Sequence, residues 1–132
     1  MSQENVESSY RALDAFNRRD IEAFLSLVDE DVEISSRLAP LAEGGYRGHD
    51  GVRLWFQNLW DAFPDVRSEP VEMRDLGEMT LFAVRFRGHG GQSGAPIDQT
   101  IWQLAEFREG KCILLHSYDA ETDALEAAGL AE

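Results

Sequence analysis

Cysteine is almost absent from this 132-residue chain: Cys112 is the single thiol, so no internal disulfide can form. His49, His89 and His116 show no metal-ligand spacing, and one cysteine cannot complete a structural zinc set. Basic residues are scarce as well. Twelve Lys and Arg face 25 Asp and Glu, a net charge of −13, which repels phosphate backbones and anionic lipid headgroups. Neither nucleic acid nor a membrane surface is therefore an expected partner. No apolar run nears the ~20 residues needed to span a bilayer, and the polar, acidic first ten residues lack the pattern of a signal or transit peptide. Repeats, linkers and low-complexity tracts are missing too. The expectation is one cytoplasmic domain spanning residues 1–132, with no metal and no cofactor.

What is present has a clear order. Val6, Tyr10, Leu13 and Phe16 recur at helical spacing, and Asp20 is placed to cap a second short helix carrying Ile21, Phe24, Leu25 and Val28. Alternation over residues 32–36 predicts a first strand, and residues 38–45, with one Pro and two Gly, a loop. Val52, Trp55, Phe56, Leu59 and Phe63 then form the strongest helical stripe, widened by Trp60 and stopped at Pro64 and Asp65. From Val66 the period becomes two. Strands are expected over 66–76, 79–88, 97–108 and 111–118, with tight turns at Gly77–Glu78 and Glu109–Gly110 and a glycine-rich connection over 88–96. A last short helix fits 122–128, with Gly129 as its left-handed stop. Helices segregated from a run of strands indicate an α+β domain.

Three stretches carry a resemblance to a known family: Asn17-Arg18-Arg19-Asp20-Ile21-Glu22; Tyr46-Arg47-Gly48-His49-Asp50-Gly51-Val52 leading to Phe63-Pro64-Asp65; and Glu109-Gly110-Lys111 opening a strand that ends at Tyr118, before Ala124-Leu125-Glu126-Ala127-Ala128-Gly129-Leu130. On these the whole chain resembles the SnoaL-like, bacterial branch of the nuclear transport factor 2-like superfamily. The resemblance implies a cone. A curved, mostly antiparallel sheet carries three helices from the N-terminal half on its concave face, adds a short C-terminal helix, and encloses an apolar pocket. Members include ketosteroid isomerases and polyketide cyclases, so fold alone does not fix function.

Strand alternation then selects the pocket. Ile101, Gln103, Ala105 and Phe107 form one inward set, Phe82, Val84 and Phe86 a second, and Leu115, Ser117 and Asp119 a third. The ligand-binding candidates are Ser36, Trp55, Phe56, Trp60, Phe86, Leu115 and Ser117, and the expected ligand is a small hydrophobic molecule bearing one or two oxygens. Carried over by position, the family's isomerase base falls at Ser36, its acid donor at Gln103 and its tyrosine donor near Ala12, so steroid-type isomerisation lacks its parts. A cyclase, isomerase or hydratase acting on a carbonyl compound needs less. Asp119 is the acid/base candidate, raised by burial, with Gln103 as the carbonyl-orienting donor. The alternative is a non-catalytic ligand-binding or dimeric interaction module. His89, in the glycine-rich connection, is a candidate gate over the pocket.

Trp102, Leu104, Leu114 and Tyr118 are left on the outer sheet face and require cover. A homodimer through that face is expected, with Arg85 and Arg87 pairing with Glu106 across it.

Overall fold

A computed structural model describes residues 2–36 and 45–129. The expected loop over 38–45 lies, apart from Gly45, outside the described residues. The elements follow the order helix, helix, two strands, helix, four strands, helix: α1 (Ser2–Asn17), α2 (Ile21–Leu25), β1 (Val28–Ser35), β2 (Tyr46–Arg47), α3 (Gly48–Ala62), β3 (Arg67–Asp75), β4 (Met79–His89), β5 (Pro96–Arg108), β6 (Lys111–Tyr118) and α4 (Glu121–Ala127). The six strands form one curved, unclosed sheet in the order β2-β1-β6-β5-β4-β3. Every neighbouring pair is antiparallel except β1 and β6, which run parallel with Ile34 opposite Leu115.

The hairpin turns are as expected. Glu109 and Gly110 both take positive φ, +53° and +80°, the signature of the tight turn that matches strand twist. Gly45 is required by space: a Cβ there would lie 2.3 Å from the Ile34 carbonyl oxygen, at a φ of +68°. Asp20 caps α2 by accepting from the Ala23 amide at 3.0 Å. That helix is shorter than its apolar stripe suggests, and Val28 opens β1 four residues before the expected start. The reason lies across the sheet: the Leu27 carbonyl accepts from the Cys112 amide at 3.0 Å, which draws the backbone out of helix and into the ladder.

α1 presents a different face from the one its apolar spacing predicts. Tyr10 is 45% exposed, whereas Asn5, Ser8 and Ser9 are buried beside Leu13 and Phe16. Polar groups can face inward here because partners meet them. Ser9 Oγ donates to the Asn5 carbonyl at 3.0 Å and lies 2.9 Å from the Thr80 hydroxyl, and Asn5 Nδ2 donates to the Gly77 carbonyl at 3.0 Å. At the other end of the helix, Asn17 exchanges bonds with the Ser68 backbone at 2.8 and 2.9 Å, holding α1 to β3. Arg19, at a φ of +60°, donates to the carbonyls of Phe16, Pro64 and Val66 and stacks over Trp60 at 4.8 Å. The Asn17–Asp20 segment thus pins the α1–α2 turn to the junction between α3 and β3.

Two apolar layers result. The main core joins α1, α2 and α3 to Phe82, Val84, Phe86, Ile101, Ala105, Phe107 and Leu115 on the inner sheet face. A smaller cluster on the opposite face joins Leu81 and Leu104 to Ala124 of α4, with Trp102, Tyr118 and Leu125 at its margin. The outer face is therefore partly covered by the chain's own last helix, and Leu104 is only 3% exposed. Within the chain, Arg85 and Arg87 pair with carboxylates on the neighbouring strands. Arg85 forms two bonds to Asp98, at 2.6 and 2.7 Å, and Arg87 reaches Glu69 at 3.2 Å, partners one strand away on either side.

Candidate functional site

A cavity lies between the inner sheet face and the helices. It holds about 590 Å³ of atom-free space counting its open side, of which about 50 Å³ admits the centre of a water molecule. Its walls come from every layer of the core: Ser8, Ser9, Ala12, Leu13 and Phe16 of α1, Phe24 of α2, Trp55 of α3, Phe82 and Phe86 of β4, Gln103, Ala105 and Phe107 of β5, and Cys112 and Leu115 of β6, closed by Leu27 and Val28. Aromatic rings of α2 and α3 cluster beside this space. Trp55 and Phe56 lie 4.9 Å apart, Phe56 and Trp60 also 4.9 Å, and Phe24 meets Phe56 at 4.7 Å. Trp55, Phe86 and Phe107 line the hollow rather than plug it.

The polar points on this wall are few, and none of them carries a charge. Gln103, 5% exposed, directs its Nε2 at Ser117 Oγ, 3.4 Å away and at the long limit of a hydrogen bond. Ser8 and Ser9 contribute hydroxyls from α1. Trp55 also lines the cavity, but its indole Nε1 has essentially no accessible surface and no hydrogen-bond partner. Among the described lining residues Cys112 is the one titratable group; burial pushes its thiol up to about 12, so it stays protonated. Among the described residues no Asp, Glu, His, Lys or Arg lines the cavity.

Four of the residues expected at the site come together there: Trp55, Phe86, Gln103 and Leu115. Ser117 is the cross-strand neighbour of Gln103 on β6 and is not itself among the lining residues. Phe56, fully buried, and Trp60, half-buried, pack behind the wall as core. Ser36 follows the end of β1 and is not on the lining. Asp119 overturns its expectation: alternation holds through Ser117, but β6 ends at Tyr118, and the bend before α4 leaves Asp119 exposed and off the cavity. His89 is no gate. It closes β4, and its backbone amide and Nδ1 contact Asp65 at 2.7 and 2.8 Å, holding the carboxyl below its usual range. His116 lies on the outer face, 3.0 Å from the Glu33 carboxylate that Arg47 also holds at 3.0 Å. Ser8, Ser9 and Cys112 were not legible as lining. A serine on a helix signals the inner face only once its partners, here Asn5 and Thr80, are known.

The family model for the SnoaL-like domain matches residues 10–115. No curated protein matches the sequence. Solved structures with a similar fold include a nuclear transport factor 2-like protein of unknown function from Burkholderia pseudomallei K96243, 20% identical over 93% of this chain and 95% of that one, with a TM-score of 0.78. TerC, co-crystallised with polyporic acid, is 20% identical over 93% of this chain and 96% of its own, with a TM-score of 0.78. A hypothetical protein with a ketosteroid isomerase-like fold from Catenulispora acidiphila DSM 44928, in complex with trimethylamine, is 14% identical over 94% and 93%, with a TM-score of 0.76. At such identities the likeness is one of fold. With the family match spanning most of the sequence, and this sheet and helix arrangement beneath it, the chain belongs to the SnoaL-like domain family, on the nuclear transport factor 2-like fold.

Proposed function

We propose that this chain binds a small, largely apolar molecule in the cavity and supplies no acid–base group of its own to that molecule. The observation that supports this reading is the lining: uncharged among the described residues, with its single titratable group held protonated. Burying charge without a partner is expensive, so such a wall favours neutral ligands. A cyclase, isomerase or hydratase would still find a donor in Gln103, but Asp119 would have to leave the surface to act. TerC and its polyporic acid support the idea that this fold accommodates an organic ligand.

The test fills the space. Ala12→Leu and Ala105→Leu each place a larger side chain on the lining, from opposite walls. Binding of neutral single-ring aromatics, followed by tryptophan fluorescence, should fall at least tenfold in both variants while each keeps a cooperative melt. Unchanged affinity in both would overturn the reading.

We further propose a homodimer through the outer sheet face. Its support is that Trp102 and Tyr118, at the margin of the cluster under α4, and Leu114 of β6 keep part of their surface exposed. Repulsion between two chains of net charge −13 opposes it, so association should strengthen with salt. A monomer mass in sedimentation at tens of micromolar protein and high salt would count against it.

A further inference from the structure

Among the described residues that line the cavity, all are buried except Ala12 and Leu27, which keep part of their surface exposed. The cavity has an open side, and these two residues place it between α1 and the link from α2 to β1. They are held differently. Every apolar residue on the described lining belongs to the main core or packs against it, Ala12 included, with the single exception of Leu27. Ala12 carries no rotatable side chain and forms a fixed edge. The Leu27 backbone is fixed too: its amide donates to the Phe24 carbonyl at 3.0 Å, and its carbonyl accepts from the Cys112 amide at 3.0 Å. Next to it, Lys111 Nζ donates to the Ser26 carbonyl at 2.5 Å, tying the same link to the start of β6. What is left free is the Leu27 side chain, a branched group on an anchored backbone with no core packing to select one rotamer.

We propose that Leu27 is a specificity-determining residue that gates the cavity, its side chain setting how wide a molecule enters and how fast. The proposal rests on the reading that the cavity binds small molecules, and it adds the route and the size limit. Rotamers of such side chains interchange in picoseconds to nanoseconds, whereas a loop opens in microseconds or longer. With the backbone of the link pinned, entry depends on the width that a leucine rotamer clears and not on a slow opening of the chain. Binding that requires a rearrangement lowers the association rate, and here the required rearrangement grows with the breadth of the ligand. A narrow, flat, uncharged ring passes most readily. A charged group would shed water beside an apolar side chain that offers it no partner.

Toluene and the broader mesitylene provide the test, with association followed by stopped-flow tryptophan fluorescence. Leu27→Ala should speed toluene association about fivefold or more, and mesitylene association by a larger factor. Leu115→Ala removes the same volume from the β6 wall, where the residue is 8% exposed and part of the main core. It should alter affinity while changing either association rate less than about twofold. Leu27→Phe should slow mesitylene about fivefold or more, which decides the matter if Leu27→Ala does not fold. Association rates unchanged in both Leu27 variants, or raised as much by Leu115→Ala, would overturn the gate while leaving the cavity reading intact, since binding itself persists. An equal acceleration of toluene and mesitylene in Leu27→Ala would overturn the size limit. If neither compound binds the wild type or Leu27→Ala, the cavity reading fails and the gate with it.

Discussion

Cys112 stands opposite Val28 at the start of the parallel ladder, with its thiol donating to the Leu114 carbonyl at 3.3 Å. Burial raises this thiol from about 9 to about 12. At pH 8 only about one molecule in ten thousand carries the thiolate, against about one in ten when unfolded, so native protein should alkylate about a thousand times more slowly than protein in urea; a thiol-labelling time course checks this. The same shift links to stability. A group that holds its proton more tightly when folded contributes fully below the unfolded value and loses that contribution as pH rises toward the folded one. Between about pH 9 and 12 the folded-to-unfolded ratio should therefore fall about tenfold per pH unit from this group, and Cys112→Ala should lack that component in urea melts. Residues inside a ladder were legible in this way from alternation: Gln103, Ala105, Phe107, Leu115 and Ser117 all face as the period of two requires. Ser36 and Asp119 were not, because each lies just past the last residue of its strand, where nothing enforces the pleat.

At the scale of elements, α1 shows why periodicity located a helix but turned its face. Spacing weighs apolar residues, so Val6 and Tyr10 outvoted Asn5 and Ser9. The structure weighs satisfied bonds, and the Ser9–Thr80 contact at 2.9 Å allows two hydroxyls to be buried between helix and sheet. Ser9→Ala should cost about 1–3 kcal/mol, since it leaves the fully buried Thr80 hydroxyl stranded. Thr80→Val should cost less, because Ser9 keeps the Asn5 carbonyl. The double variant should be more stable than the sum of the two by about 1 kcal/mol, a coupling that urea denaturation of the four proteins measures. The strands and hairpin turns of the C-terminal half were legible because each connects to its neighbour in sequence. The parallel contact between β1 and β6 was not, since no local signal records a partner about 80 residues away.

For the molecule as a whole, α4 is the element that separates a covered outer face from a bare one. Ala124 is fully buried against Leu81 and Leu104. Ala124→Glu should detach the helix and destabilise the chain by about 2 kcal/mol or more, and light scattering should show association as those two leucines reach water. An unchanged melting temperature would mean that α4 contributes nothing to the cover. The position of β6 has a consequence for how the chain is born. β1 and its short neighbour β2 join the sheet only through β6, so these early strands wait until the chain has emerged past Tyr118 before they find their place. Contacts so distant in sequence slow folding. A nascent chain stalled before Tyr118 should stay open to proteases, and assembly should complete in one late step during synthesis.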